Sequence, residues 1–319
     1  MSVRAVLYDA NGEDRDLDLV AEQEPELSSA RLLWVDVDDA DPDGLAAVAR
    51  TLELEPSDLR RISAETRRPE LLRLPDRVVL RLGAVEPEDD EALRHELVIV
   101  VGKNHVVTFH DGPLAAIDAF REDLEEEPEL GRLDAAPFAI ALIDSVLTAY
   151  FRQIERIERD IDALDELAVR SRREQTFLAS VLRLRRRIAR VRQTLVPNRE
   201  ALAPLGRPDF ELRSDLGAIW PGLIDRLERA IDAIENSREL LVGSMDLYLG
   251  RASQRTNDVM KVLTLVSAIL LPGALLAGIM GMNFQVPFFS DSANFYVVLG
   301  AMGVMAIAIL ALARWRAWI

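Results

Sequence analysis

The chain has 319 residues, a formal net charge of −16 from 54 acids against 38 Lys plus Arg, and no cysteine. The length allows one large or two ordinary domains. The acidic balance argues against nucleic acid as a partner, because a phosphate backbone needs a basic face to meet it; the lack of cysteine excludes disulfides, thiolate metal sites and cysteine nucleophiles.

Residues 1–130 read as a cytoplasmic α/β domain. The opening stretch MSVRAVLYDANGEDRDLDL has no apolar core behind a basic start, so it does not read as a secretory signal. RLLWVDVDD, RVVLRLGAV and ELVIVVGKNHVVTFHDG carry β-branched, alternating or buried-strand patterns, with KN as a hairpin turn. DPDGLAAVARTLEL and GPLAAIDAFREDLEE read as helices, and EPEDDEALRHE as a solvated acidic loop or turn. His105 and His110 are five apart in a strand-like segment and point to opposite faces, so they do not pair as metal ligands.

Residues 131–260 read as long helices that form a coiled-coil and stalk region. Leu147, Tyr150, Ile154, Ile157, Ile161 and Leu164 make one seam, and Phe177, Val181, Leu184, Ile188, Val191 and Leu195 a second. The arginines between Arg170 and Arg192 read as a solvated face paired with acids of neighbouring helices. Pro197 and APLGRPDF are expected to break the second helix. A third helix is expected from Glu211 or Pro221, with Leu227, Ile231, Ile234, Leu241, Met245 and Tyr248 on one seam and Arg238 interrupting it. Without a strong breaker, residues 221–281 make one helix of ~90 Å at 1.5 Å per residue.

Residues 261–319 read as a transmembrane hairpin. Val262 to Met282 is an uncharged run of about 21 residues, long enough to cross a ~30 Å hydrocarbon core, and Phe295 to Ala313 is a second. Arg251, Arg255 and Lys261 precede the first span, Arg314 and Arg316 follow the second, and the loop between them has no basic residue. Both termini are therefore expected on the cytoplasmic side of a cell (inner) membrane, with Trp315 and Trp318 at the inner interface. Along the first span Asn257, Met260, Thr264, Ser267, Leu271, Ala274 and Gly278 recur every three or four residues as a smaller, more polar stripe. Such a stripe suits either the lining of a narrow channel or the close approach of two helices.

The first span ends in GMNF (281–284), followed by a short loop and a final span. That motif in that position resembles the CorA family of divalent-metal transporters, and QRTNDVMKVLTLVSAILLPGALLAGIMGMNF (254–284) is similar to the family's pore helix throughout. The resemblance implies a homopentamer in the lipid bilayer, with an α/β domain, a long helical stalk and two C-terminal transmembrane helices, the first spans lining a central pore. It implies a selectivity filter of Gly281, Met282 and Asn283, the Asn283 amides ringing the outer mouth and holding a metal ion through its water shell. Asn257, Met260, Leu263, Thr264, Ser267, Leu271, Ala274 and Gly278 fall on or beside pore-lining positions, with Met260, Leu263 and Leu271 at a hydrophobic constriction. The implied function is divalent-cation transport without a permanently bound cofactor: Mg²⁺ as the transported ion, with Co²⁺ or Ni²⁺ accompanying it.

The loop FQVPFFSDS departs from the Met-Pro-Glu-Leu motif that magnesium-transporting relatives carry, and Asp291 is its only acid, so Zn²⁺ transport is the alternative within the family. The spans contain no His or Cys to bind a dehydrated Zn²⁺. Magnesium-gated relatives place acids between cytoplasmic domains; here Gly222 stands at the corresponding point, with Asp215 and Asp225 as possible regulatory acids. A membrane-anchored coiled-coil scaffold is the remaining alternative. No phosphate loop, nucleophile elbow or Ser-His-Asp pattern points to an enzyme.

Overall fold

The computed structural model describes residues 2–9, 12–19, 31–38, 42–51, 55, 60, 62, 68–88, 91–127, 129–170, 174–207, 219–282 and 292–316. They fall into two compact units, residues 1–245 and 246–319.

The first unit is built on a seven-stranded sheet. Its strands are β1 (Ser2–Asp9), β2 (Arg15–Leu17), β3 (Arg31–Asp38), β4 (Glu70–Arg73), β5 (Val78–Glu88), β6 (Glu91–Val101) and β7 (His105–His110). They lie in the order β2-β1-β3-β7-β6-β5-β4. Every pairing is antiparallel except β3 with β7. Strand β3 is buried from Leu32 to Val37, as expected of a strand covered on both faces. On one face Leu33, Val35, Val37, Val98, Val100, Val107 and Phe109 pack with Val48 of α1 (Pro42–Thr51). On the other, Trp34 meets Phe120 of α2 (Ala115–Glu126) and Phe138 of α3 (Ala135–Arg170) edge to face, each at a centroid distance of 5.7 Å. Such aromatic pairs add ~0.5–1.5 kcal/mol each to their area burial.

The expected strands and the KN turn are present: Gly102 N–H donates to the His105 carbonyl at 2.9 Å, closing the β6–β7 hairpin. Strands β1, β2 and β4 were not foreseen. The acidic stretch 86–96 also differs from expectation. Residues 86–88 and 91–96 of it are paired strand, with Glu86 opposite Leu93 and Glu88 opposite Glu91, because the apolar halves of β5 and β6 fix a register that carries the ladder outward.

Helix α3 buries its predicted seam completely: Leu147, Tyr150, Ile154, Ile157, Ile161 and Leu164 are each 2% exposed or less. Helix α4 (Glu174–Leu202) contains Pro197 instead of ending there. A proline inside a helix removes one N–H bond, and tertiary bonds beside it hold the turn. The Asn198 amide oxygen accepts the Gly83 N–H at 2.8 Å, and its amide nitrogen donates to the Gly83 carbonyl at 2.9 Å. The Tyr150 hydroxyl donates to the same carbonyl at 2.8 Å. Burial pushes the Tyr150 pKa upward, so the hydroxyl keeps the proton it donates. These side chains satisfy strand β5 beyond the reach of β4, so an exposed edge does not arise. The helix gives way only after Leu202, to the 3₁₀ turn Ala203–Gly206.

Helix α5 (Trp220–Met280) is continuous, with Pro221 in its first turn, where a missing N–H costs nothing. Its buried stripe is Leu223, Leu227, Ala230, Ile234, Ser237, Leu241 and Ser244. The seam therefore differs from the expected one: Ala230, Ser237 and Ser244 replace Ile231, Arg238 and Met245. Small residues fill this buried stripe, and Ser237 and Ser244 satisfy their hydroxyls on the Ala233 and Leu240 carbonyls. Arg238 does not interrupt the seam because it lies beside it. Ion pairs flank the packing: Arg226 with Asp144 at 3.0 Å, Arg199 with Glu228 at 2.7 Å, Arg187 with Asp160 at 2.6 Å, and Arg192 with Glu235. The arginines of α4 thus meet acids of neighbouring helices.

A Cβ at Gly83 would lie 2.5 Å from Thr194 Cγ2 and 3.0 Å from the Thr194 carbonyl oxygen. Gly83→Ala is expected to cost about 1–3 kcal/mol by overpacking, read as a lower thermal midpoint of the purified chain. Adding Thr194→Ser should recover part of the loss. An unchanged midpoint in Gly83→Ala would contradict this packing.

Candidate functional site

Three described helices are long and apolar enough to cross a membrane by length and composition: residues 135–169, Trp220–Met280 and Ala293–Trp315. Their surroundings separate them. The apolar window of α3 is 61% buried inside the fold, whereas those of α5 and α6 (Ser292–Trp315) are 0% buried. Helix α3 already has protein partners for its apolar residues. The other two expose theirs and need hydrocarbon or further protein around them.

Charge stops where the apolar run starts. Asp258 pairs with Lys261 at 3.7 Å, one turn apart, and Gln254 donates to Asp258 at 3.2 Å. From Val262 to Met282 there is no ionisable side chain. Within the second unit α5 and α6 pack through small residues, the methyl of Met302 lying 3.2 Å from the Cβ position of Gly273. Leu265, Ile269, Leu276 and Met280 on α5 are half-buried, as are Val298, Met302 and Ile309 on α6. Pro272 lies on the same side of α5 and does not end the helix.

The polar stripe occupies the side turned away from α6. Asn257, Met260, Leu263, Thr264, Leu271, Ala274 and Gly278 are exposed in the single chain, and Ser267 is half-buried. A Cβ at Gly278 would meet nothing within 4 Å. The stripe is therefore not used to bring α5 against α6; that contact runs through Gly273 and Met302. At its C-terminal end the helix closes by two backbone bonds, from Gly281 N–H to the Ala277 carbonyl at 2.9 Å and from Met282 N–H to the Ile279 carbonyl at 3.2 Å. These place Gly281 and Met282 at the last turn, directly before the third member of the motif. Asn283 and the loop after it lie outside the described residues.

Of the possible regulatory acids, Asp215 also lies outside the described residues. Asp225 is exposed on the first turns of α5 and bonds Arg229 one turn on. Among the described residues no group of three or more His, Asp or Glu side chains is arranged to hold a metal ion. The Asp258–Lys261 pair at the start of the span was not singled out as a pair in the sequence, although its i, i+3 spacing carries the signal.

Comparison with known proteins places this architecture. The chain is 29% identical over 245 residues to the cobalt/magnesium transport protein CorA of Thermotoga maritima, covering 76% of this chain and 70% of that protein. Its fold is similar to the complete structure of the CorA magnesium transporter from Methanocaldococcus jannaschii, with a TM-score of 0.79, 22% identity and full coverage of both chains. It is also similar to the full-length CmaX protein, with a TM-score of 0.71 and 22% identity over 98% of this chain and 96% of that one. The family model described as CorA-like Mg²⁺ transporter protein matches residues 29–315, and the chain belongs to that family of divalent-cation transporters.

Proposed function

We propose that this chain forms a homopentameric, channel-like pathway for Mg²⁺ entry across a cell (inner) membrane, with both termini cytoplasmic. The observation that carries the proposal is the placement of one stripe. Asn257, Thr264, Ser267, Leu271, Ala274 and Gly278 lie on an uncharged helix, on the side α6 leaves open, and the stripe leads to Gly281-Met282-Asn283. Copies arranged about an axis would turn that stripe into a lining and leave α6 to face lipid.

The chemistry suits a hydrated ion. Mg²⁺ gives up its water reluctantly and prefers oxygen around it. An amide ring at Asn283 accepts hydrogen bonds from the ion's water shell without the full charge of a carboxylate, so binding is firm enough to admit the ion and weak enough to release it. Deeper in, Met260, Leu263 and Leu271 supply an apolar constriction that closes by dewetting. An inside-negative potential of 100 mV gives a divalent ion about 4.6 kcal/mol, twice the single-charge value, so no nucleotide is needed. Co²⁺ and Ni²⁺ are expected to follow the same path. Zn²⁺ is the second reading, favoured by the loop FQVPFFSDS, which keeps only one acid at the outer mouth.

Asn283→Ala removes hydrogen bonds to the hydrated ion worth ~1–3 kcal/mol, and Mg²⁺ uptake into proteoliposomes is expected to fall on the order of tenfold or more. Uptake of Mg²⁺ at the wild-type rate in that variant would refute the amide filter. Zn²⁺ uptake without Mg²⁺ uptake would move the protein to the zinc reading. No flux of either ion through a folded oligomer would leave the scaffold reading.

The absence of cysteine makes the lining directly testable. Single substitutions to Cys at Thr264, Ser267 or Leu271 should react with a charged, water-soluble thiol reagent and lose ion flux. The same substitution at Val262 or Val266, on another exposed side of α5, should neither react nor lose flux. Equal reactivity on both sides would contradict a water-filled path along the stripe.

A further inference from the structure

The α2-facing side of the sheet holds a buried polar cluster that metal transport does not explain. Asp36 of β3 and His110 of β7 are 6% and 8% exposed. One Asp36 oxygen takes the Arg121 guanidinium at 2.9 Å. The other accepts from the Thr108 hydroxyl and lies 3.2 Å from His110 Nε2. The direction of the Thr108 bond follows from the carboxylate, which only accepts; the hydroxyl oxygen in turn accepts from Trp34 Nε1–H at 3.2 Å, and the Val35 carbonyl, at 3.5 Å, is the longer alternative for its proton. The other ring nitrogen, His110 Nδ1, lies 2.6 Å from the Gly112 carbonyl oxygen. Asp38 Oδ1 is 3.5 Å from Nδ1 and accepts the Gly112 N–H at 3.1 Å.

Both nitrogens of one buried imidazole therefore face atoms that only accept. A neutral histidine has one N–H and one lone pair. In either neutral tautomer a lone pair would point at a carbonyl or at a carboxylate already occupied by Arg121 and Thr108, and such an unmade bond is costly in a buried site. The imidazolium, with two N–H groups, satisfies both contacts.

We propose that His110 is held as a buried imidazolium that ties the Gly112 turn to strand β3, and that its deprotonation as pH rises releases this tie at the entry to helix α2. Gly112 has φ +93°, a conformation other residues rarely adopt, and stands three residues before α2 begins at Ala115. The tie thus sets where the chain leaves the sheet. The charged and polar groups around it come from each neighbouring element. Strand β3 supplies Asp36 and Asp38. Helix α2 supplies Arg121, which is also bonded to Asp118 at 2.8 Å. Strand β6 supplies His95, whose Nδ1 lies 2.8 Å from the Asp111 carbonyl and 3.2 Å from its carboxylate. Strand β1 brings Arg4 opposite Asp36 in register, with its side chain on Asp16 at 3.6 Å. Helix α3 contributes the apolar ring of Phe138 against Trp34.

Burial pulls the His110 pKa down, but the hydrogen bond and charge of Asp36, the Gly112 carbonyl and the charge of Asp38 outweigh it and hold it above its ordinary value. A folded-state value above the unfolded ~6.5 means that the stabilisation is complete below ~6.5 and is lost as pH rises through the folded midpoint. His105 provides an internal contrast, since burial, then the nearby Arg77 charge, push it down to about 4 against the opposing charge of Asp76.

The chain has only three histidines, so ¹⁵N-histidine solid-state NMR of the full chain in proteoliposomes reads each ring directly. His105→Gln assigns one signal away from the cluster, and Asp36→Asn separates His110 from His95, because only His110 contacts Asp36. At pH 7 the His110 ring should show two protonated nitrogens and lose one only as pH rises further, while His105 stays neutral. Asp36→Asn should shift that ring's transition down by ~1 unit or more. The thermal midpoint of the wild type should fall as pH rises through the transition. A single-proton tautomer of His110 at pH 7, or a transition unmoved in folded Asp36→Asn, would overturn the proposal.

Discussion

Helix α5 carries 61 residues on one hydrogen-bonded backbone, and its two halves are composed for different surroundings. Its first half keeps a narrow seam, from Leu223 to Ser244, against helices of the α/β unit and leaves charged side chains around the rest. Its second half has no charge from Val262 onward and buries little within the chain. A charged side chain at the centre of a bilayer-spanning helix costs ~2.5–3.5 kcal/mol on insertion scales, so this change in composition is itself an energetic boundary. The Asp258–Lys261 pair stands beside that boundary, where each partner offsets the other's charge.

The sheet and the helices were legible to different depths. Buried strands such as β3 and β7 announced themselves through β-branched runs, and the seams of α3 and α4 through large apolar residues at steps of three and four. Short strands β2 and β4 have too few residues for any period to show. Glu86, Glu88, Glu91 and Glu96 follow the register set by Val79, Leu82, Leu97 and Ile99, a long-range constraint that local composition hides. Pro197 was misjudged for a similar reason: a breaker seen alone says nothing of Asn198 reaching Gly83 across the fold. The α5 seam was shifted because hydrophobicity favours Ile231 and Met245, whereas close packing favours Ala230 and Ser244.

The site divides in the same way. The stripe from Asn257 to Gly278 was legible as a pattern, but its use was not, because small residues serve helix contact and channel lining alike. The position of α6 separates the two uses within the hairpin: Gly273 takes the close contact, and the stripe is left open. The GMN motif was legible through its place at the end of an uncharged span. Ion identity was less so, since Mg²⁺ and Zn²⁺ differ in how readily they shed water, and the loop sequence after the motif follows no periodic rule.

The account stands on passive, potential-driven passage of a divalent ion along α5. The most direct measurement is Mg²⁺ entry into proteoliposomes under a clamped diffusion potential, without nucleotide and without a proton gradient. The account predicts uptake that rises steeply as the interior becomes more negative and ceases when an opposing potential balances the Mg²⁺ gradient. Uptake that ignores the potential, or that appears only with a proton gradient or nucleotide, would contradict it.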